Sequence, residues 1–300
     1  TAPEYSGGLS NHAPMAAEAC LHLLRAGRVL PWVEFYRNRL YARPQQQSRI
    51  TGENWPQAIG DISRYSDWEV FFQERIGELG WEGAVGRWVP VLAPGSIAAG
   101  GHGLIRTSHA VRSLCCKRTG QRESELAAAL AFWAARFQEL PGKAATSPGS
   151  LPASEAVKKL PLVPEEKKVR FGLISKKIRA LESFPPFQEA VNLIRLSGGL
   201  SDSLSGMTEA FCSAYLAGAK DAKTSIILIH TVTIPAAVRA LLPFLGPNAA
   251  AETVRCGWQA AAAIHSVFGK GPGRAGFRKV RPGIDELIDR AVGTGDEHAI

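Results

Sequence analysis

The residues of this 300-residue chain best suited to chemistry are its seven histidines: His12, His22, His102, His109, His230, His265 and His298. Four of them sit in unusual settings. His12 lies at an expected helix start, in Asn-His-Ala-Pro-Met. His102 follows the small, glycine-rich run Pro94-Gly95-Ser96-Ile97-Ala98-Ala99-Gly100-Gly101. His230 interrupts the apolar segment Ile226-Ile227-Leu228-Ile229-His230-Thr231-Val232, and His298 sits in Gly295-Asp296-Glu297-His298. A buried neutral imidazole costs stability unless both ring nitrogens find partners. A shared metal ion is the economical common partner, and imidazole suits iron, zinc, copper and nickel. The competing reading is four separately satisfied core histidines. No HExxH or His-x-His pair decides between the two.

Other residues take secondary roles. His109 follows His102 by seven residues, two helical turns or about 10 Å along the axis. That is too far to share one ion, so His109 is a candidate acid or base in a substrate pocket. Arg106, one turn after His102, shares its helical face. It is a candidate to hold a phenolate, a carboxylate or a developing oxyanion; its ordinary use would be a salt bridge to a neighbouring helix. The glycines and alanines before His102 read as room made for a ligand. Trp32, Phe35, Tyr36, Trp68, Phe71 and Phe72 could line an aromatic pocket, although such spacing more often marks plain core. His22 and His265 read as packing residues.

The elements that must position these side chains are helical. Helices are expected from Asn11 to Gly27, from Pro31 to about Leu40, and from Trp55 to Ile62. A further one starts at Ser66, with Glu69 completing a capping box. Gly80 should break it before a short helix to Val91. Then come 94–114 and 121–140, and after a Pro-, Ser- and Lys-rich stretch 170–181, 185–196, 204–217, 225–244, 249–268 and 283–292. No segment alternates convincingly with period two, and no βαβ rhythm appears. The expected fold is all-α: one large multi-helical domain over residues 1–300 with an internal aromatic-lined cavity. Residues 141–168 are expected to be a flexible crossover or lid.

Bulk composition narrows the function classes. Hydrophobic residues make up 45% of the chain, enough for a core without disulfides. The five cysteines are odd in number and form no CxxC, which fits a reducing, cytoplasmic setting. The net charge of +8 is dispersed and accompanies no nucleic-acid-binding motif, so no nucleic-acid partner is expected. The longest apolar stretch, around 225–245, is broken by His230, Pro235 and Arg239, so no membrane association is expected either. No P-loop, dinucleotide fingerprint or nucleophile elbow is present. Gly269-Lys270-Gly271-Pro272-Gly273-Arg274 matches a phosphate loop in composition but not in spacing.

Five segments together resemble the questin oxidase-like family. They are Asn11-His12 with Met15; Tyr65 with Trp68 and Phe72; Pro94-Gly95 leading to His102-Gly103-Leu104-Ile105-Arg106-Thr107; His230-Thr231-Val232-Thr233; and Asp296-Glu297-His298-Ala299-Ile300. The resemblance runs from end to end. It implies a cofactor-independent or metal-dependent oxygenase, here read as a non-haem metal enzyme, opening a ring of an anthraquinone-like aromatic polyketide by a Baeyer–Villiger-type step or other C–C cleavage. It implies iron as cofactor, held by His12, His102, His230 and His298, with NADPH as a candidate external reductant. The expected partners are a small aromatic substrate and O2, with Arg106 and His109 serving the substrate. Family members carry a lysine three residues past the last histidine, a position beyond Ile300, and fungal members have a histidine where this chain has Arg106. The reading from another class is a non-catalytic helical binding protein for an aromatic metabolite. Convergence discriminates the two: histidines more than about 8 Å apart could not share one ion at bonds of roughly 2 Å.

Overall fold

In the computed structural model, which describes residues 1–143, 149–196, 198–270 and 282–300, the chain folds as an all-α domain. The N-terminal part supplies α1 (Ala13–His22), α2 (Val29–Tyr36), α3 (Trp55–Ala58) and α4 (Tyr65–Leu92). The centre supplies α5 (His102–Cys116), α6 (Gly120–Ala135), α7 (Ala153–Ala156) and α8 (Ile174–Lys177). The remainder is α9 (Leu200–Gly218), α10 (Ala222–Leu241), α11 (Pro247–Phe268) and α12 (Ile284–Gly293). The strands among the described residues are β1 (Glu4–Tyr5) and β2 (Leu9–Ser10), an antiparallel pair ahead of α1.

Packing follows from side-chain size. In α6, Leu126, Ala127, Leu130, Ala131 and Ala134 have no solvent exposure. Their small faces let α6 lie against α4 on one side and α5 on the other. The Ala260-Ala261-Ala262-Ala263 run of α11 is likewise buried and packs beside α10 and α9. Helices α5 and α10 are neighbours, and α1 lies on α5. These three carry His102, His230 and, at the N-cap of α1, His12.

Several sequence expectations are refined. Gly80 does break α4, with φ +72° joining two helices end to end. Ser66 does not cap α4; its Oγ donates to the Pro44 carbonyl at 2.6 Å. Glu69 instead pairs with Arg43 at 3.1 Å. The expected helix 94–114 starts only at His102, because tight turns over 93–101 carry Ala99, Gly100 and Gly101 in the left-handed region. Of the stretch 141–168, residues 144–148 lie outside the described residues, as do Gly271 to Arg274 of the phosphate-loop look-alike. Described residues of 141–168 reach the core. Leu160 and Val163 are buried, and the Val163 N–H donates to the Ser266 carbonyl at 2.8 Å. Helix Ala222–Phe244, whose length and mean hydropathy of 1.8 would suffice to cross a membrane, is partly buried here and presents His230 inward.

Candidate metal centre

Each of the four histidines is placed by a different local device. The β1–β2 hairpin brings the Ser10 carbonyl to 2.7 Å from His12 Nδ1. The buried Tyr36 hydroxyl accepts the His12 backbone N–H at 3.0 Å, so α2 braces the start of α1. His102 opens α5 behind Gly101, and its Nδ1 lies 2.6 Å from the Ala99 carbonyl. Ala99 holds φ +50°, a conformation that costs a residue with a Cβ about 1 kcal/mol. His230 turns its Nδ1 back to the Ile227 carbonyl of its own helix at 3.2 Å. His298 rides on the segment after α12, where Asp296 Oδ1 accepts the His298 backbone N–H at 2.7 Å. Trp32 Nε1 donates to the Gly295 carbonyl at 2.9 Å and ties that segment to α2.

The four rings meet. His102 Nε2 lies 2.9 Å from His12 Nε2 and 3.1 Å from His230 Nε2. The ring centroids of His298 and His12 are 4.6 Å apart, and those of His298 and His230 5.7 Å. Ligand atoms of His12, His102 and His298 fall within 4.8 Å of one another, and His230 joins through His102. These separations are inside the 8 Å beyond which one ion could not be shared.

The donor set fits a metal ion. A carbonyl oxygen only accepts, so in His12, His102 and His230 the proton sits on Nδ1. The three Nε2 atoms then carry lone pairs that face one another, and lone pairs do not bond each other. A cation between them satisfies all three. Two imidazole nitrogens bound at about 2.1 Å and at right angles would stand about 3.0 Å apart, which matches the two Nε2 separations. The Nδ1–carbonyl bonds are the outer supports that fix ligand tautomers in metal sites. Protonation is disfavoured for the same reasons that favour a metal. Burial first, then the neighbouring imidazoles, push His12 down to about 3. Burial and His298 push His230 to about 4. Burial holds His102 well below its ordinary range and His298 below it as well.

Two cavities meet at this cluster, and all four histidines line both. The narrow one, about 280 Å³, runs between α1, α5 and α10 past Met15, Ile105 and Ala237 to His109 and Arg112. The wide one, about 1240 Å³, is walled by Tyr5, Phe35, Tyr41, Ile226 and Phe268, with Lys176, Lys177 and Lys223 at its edge.

Other expected site residues are placed as follows. His109 lines the narrow cavity, and so does His22, which the sequence suggested as packing. Arg106 lines neither cavity. Its buried guanidinium is turned to Glu125 on α6, with Nε–Oε1 at 2.7 Å and Nη2–Oε2 at 2.9 Å. A buried cation needs a carboxylate, and Glu125 supplies it. Of the small residues beside His102, Ala99 lines the wide cavity, whereas Gly101 and Gly103 leave no room for a ligand. A Cβ at Gly101 would stand 2.6 Å from Ile234, and one at Gly103 2.8 Å from Trp133, so these glycines let α10 and α6 close in. Trp68, Phe71 and Phe72 are core, whereas Phe35 faces the wide cavity and Trp32 stacks on Tyr36 behind His12. His265 is buried in α11, pushed to about 4 by burial, and lines neither cavity. One participant had little signal in the sequence: Glu18, a lone carboxylate in Ala16-Ala17-Glu18-Ala19-Cys20, which holds His109. A family model described as questin oxidase-like matches residues 9–300. No curated protein matches the chain.

Proposed function

Because the chain belongs to the questin oxidase-like family, we propose that it is a non-haem iron oxygenase acting on a flat, hydroxylated aromatic polyketide of the anthraquinone type. The observation that carries the reading is the convergence of unprotonated Nε2 atoms at 2.9 and 3.1 Å on His102. His12, His102, His230 and His298 would hold the iron. When bound, iron supplies a route for O2 to react with a closed-shell organic molecule, which it otherwise does slowly.

The protein's own residues do the rest. The backbone carbonyls of Ser10, Ala99 and Ile227 keep three imidazoles in the ligating tautomer. Met15, Ile105, Ile229 and Ala237 make the narrow cavity apolar and limit water beside the cluster. The wide cavity is above the usual range of roughly 300–1000 Å³ for small-molecule sites, so a polycyclic ligand enters whole. Tyr5, Phe35, Tyr41 and Phe268 offer ring faces to it. His109 is the proton-transfer residue of this reading, and Arg106 is a structural cation. NADPH enters as an external reductant.

Iron-reconstituted protein mixed with a hydroxyanthraquinone in an oxygen electrode, with and without NADPH, tests this. The expected result is O2 uptake that EDTA abolishes, with a product heavier by one or two oxygen atoms. Full activity in EDTA removes iron from the reading. Stoichiometric binding of the quinone with no O2 uptake makes the protein a carrier instead.

A further inference from the structure

The narrow cavity has a second end. His109 lines it two helical turns, about 10 Å, beyond His102. His109 Nδ1 lies 2.6 Å from Glu18 Oε2. Glu18 is 8% exposed, and His109 and Arg112 share its Oε2. Arg112 Nε stands 3.2 Å from Glu18 Oε1, and Arg112 Nη2 bonds Oε2. Burial alone would push the Glu18 carboxyl up, but the bonds from His109 and Arg112 outweigh it and hold it below its ordinary value. Glu18 is therefore a carboxylate and can only accept. Arg112 Nη2, which can only donate, also stands 3.1 Å from His109 Nδ1, but it bonds Glu18 Oε2, and the shorter contact to the carboxylate, at 2.6 Å, puts the imidazole proton on Nδ1. His109 Nε2 carries the lone pair, and among the described residues no hydrogen bond engages it. Burial pushes His109 below its ordinary value although Glu18 opposes this, so the ring is neutral near pH 7.

The charged groups around His109 are few. Helix α1 presents Glu18, His22 and, farther along, His12; α5 itself presents Arg112; α10 presents Thr233, Ala236, Ala237 and Ala240, none of them ionisable in this range. An oriented, neutral imidazole that lines a cavity and keeps one nitrogen free is the arrangement of a general base. Catalytic histidines backed by a carboxylate use the same division of labour.

We propose that Glu18 and His109 form a carboxylate–imidazole pair that ionises the substrate. The substrate is then a hydroxyarene whose reacting ring lies at the histidine cluster, where the two cavities meet, with the rest of its ring system in the wide cavity and a phenolic hydroxyl extended into the narrow one toward His109 Nε2. The O–H bond breaks, the proton goes to Nε2, and the electron pair stays on oxygen as a phenolate. No electrons are exchanged in this step. Glu18 is a positioning residue, because it acts through His109. The assignment rests on the oxygenase reading for its purpose but not for its chemistry, so metal-free protein can test it.

The probe is 2-hydroxyanthraquinone, whose visible absorption reports ionisation, titrated with metal-free full-length protein. Bound to the native protein, it should ionise at least one pH unit below its value in water. His109→Gln should bind it and lose that shift. In the iron-loaded enzyme His109→Gln should lower kcat by about 10²-fold or more. Glu18→Gln should move the acidic limb of the kcat profile to lower pH, because the removed charge supports the His109 proton; a purely structural role would leave that limb in place. Imidazole ¹⁵N spectra of the native protein add a reading that needs no variant, and should show His109 protonated on Nδ1. A proton on Nε2, a bound probe that ionises as in water, absence of probe binding, or a shift retained in His109→Gln would each overturn the assignment. Loss of O2 uptake with these results intact would instead strike the iron reading.

Discussion

At the scale of single residues, the decisive quantity is where each imidazole proton sits. Three backbone carbonyls hold protons on Nδ1 and leave Nε2 atoms pointing at one another. Among the ligand candidates, His102 and His230 stand out in the sequence because they interrupt a glycine-rich and an apolar segment, where an unpartnered imidazole is costly, whereas the set of four with His12 and His298 comes from the family resemblance. Arg106 misled because helical spacing fixes a face only for the Cβ. Its guanidinium reaches sideways to Glu125, 19 positions on, and nothing in the local pattern shows that partner. Glu18 was hidden for the same reason: its partner His109 is 91 positions away. The Arg106–Glu125 pair yields a prediction. Glu125→Ala leaves a guanidinium that is 5% exposed without its carboxylate, and should cost about 3 kcal/mol. Urea unfolding measures this, and metal content should be unchanged because Arg106 lines neither cavity.

At the scale of elements, the site depends on how closely α5 approaches α6 and α10. Gly103 sits against Trp133, and Gly101 against Ile234. Gly103→Ala places a methyl 2.8 Å from the Trp133 Cα, where only a backbone shift relieves it. Overpacking of this kind costs about 1–3 kcal/mol, visible as a lower midpoint in thermal unfolding. His102 lies one residue away, so metal affinity should fall with it. An unchanged midpoint would contradict the close helix approach. Helix existence was readable from the 3.6-residue pattern, and the Gly80 break from the glycine itself. The start of α5 was not, because a Gly/Ala run suits both a helix and the left-handed turns that Ala99, Gly100 and Gly101 adopt. The extra approach of two helices, rather than a ligand, used the space those glycines free.

For the whole molecule, the buried histidines make metal-free stability depend on pH. Their folded-state values lie below the ordinary 6.5, reaching about 3 for His12 and about 4 for His230 and His265. Above pH 6.5 both folded and unfolded states are neutral at these rings, and they contribute no slope. Below it the unfolded chain takes up protons that the folded chain refuses. Stability therefore falls as pH drops from about 6.5 toward 4, by up to about 1.4 kcal/mol per pH unit for each histidine. Urea titrations of metal-stripped protein across that window check this, and a flat profile would contradict the burial of the cluster. The all-α class was legible because helical periodicity recurs along the chain, whereas the two cavities arise from elements hundreds of residues apart in sequence. One ion shared by His12, His102, His230 and His298 would make the cluster a metal centre. Elemental analysis of protein purified without chelator, set beside His102→Ala, asks this directly. One iron per native chain is expected, with at least about 100-fold weaker affinity in the variant, since loss of outer supports alone costs about 10- to 100-fold. Native protein that holds no stoichiometric transition metal, even after iron is supplied, would contradict it.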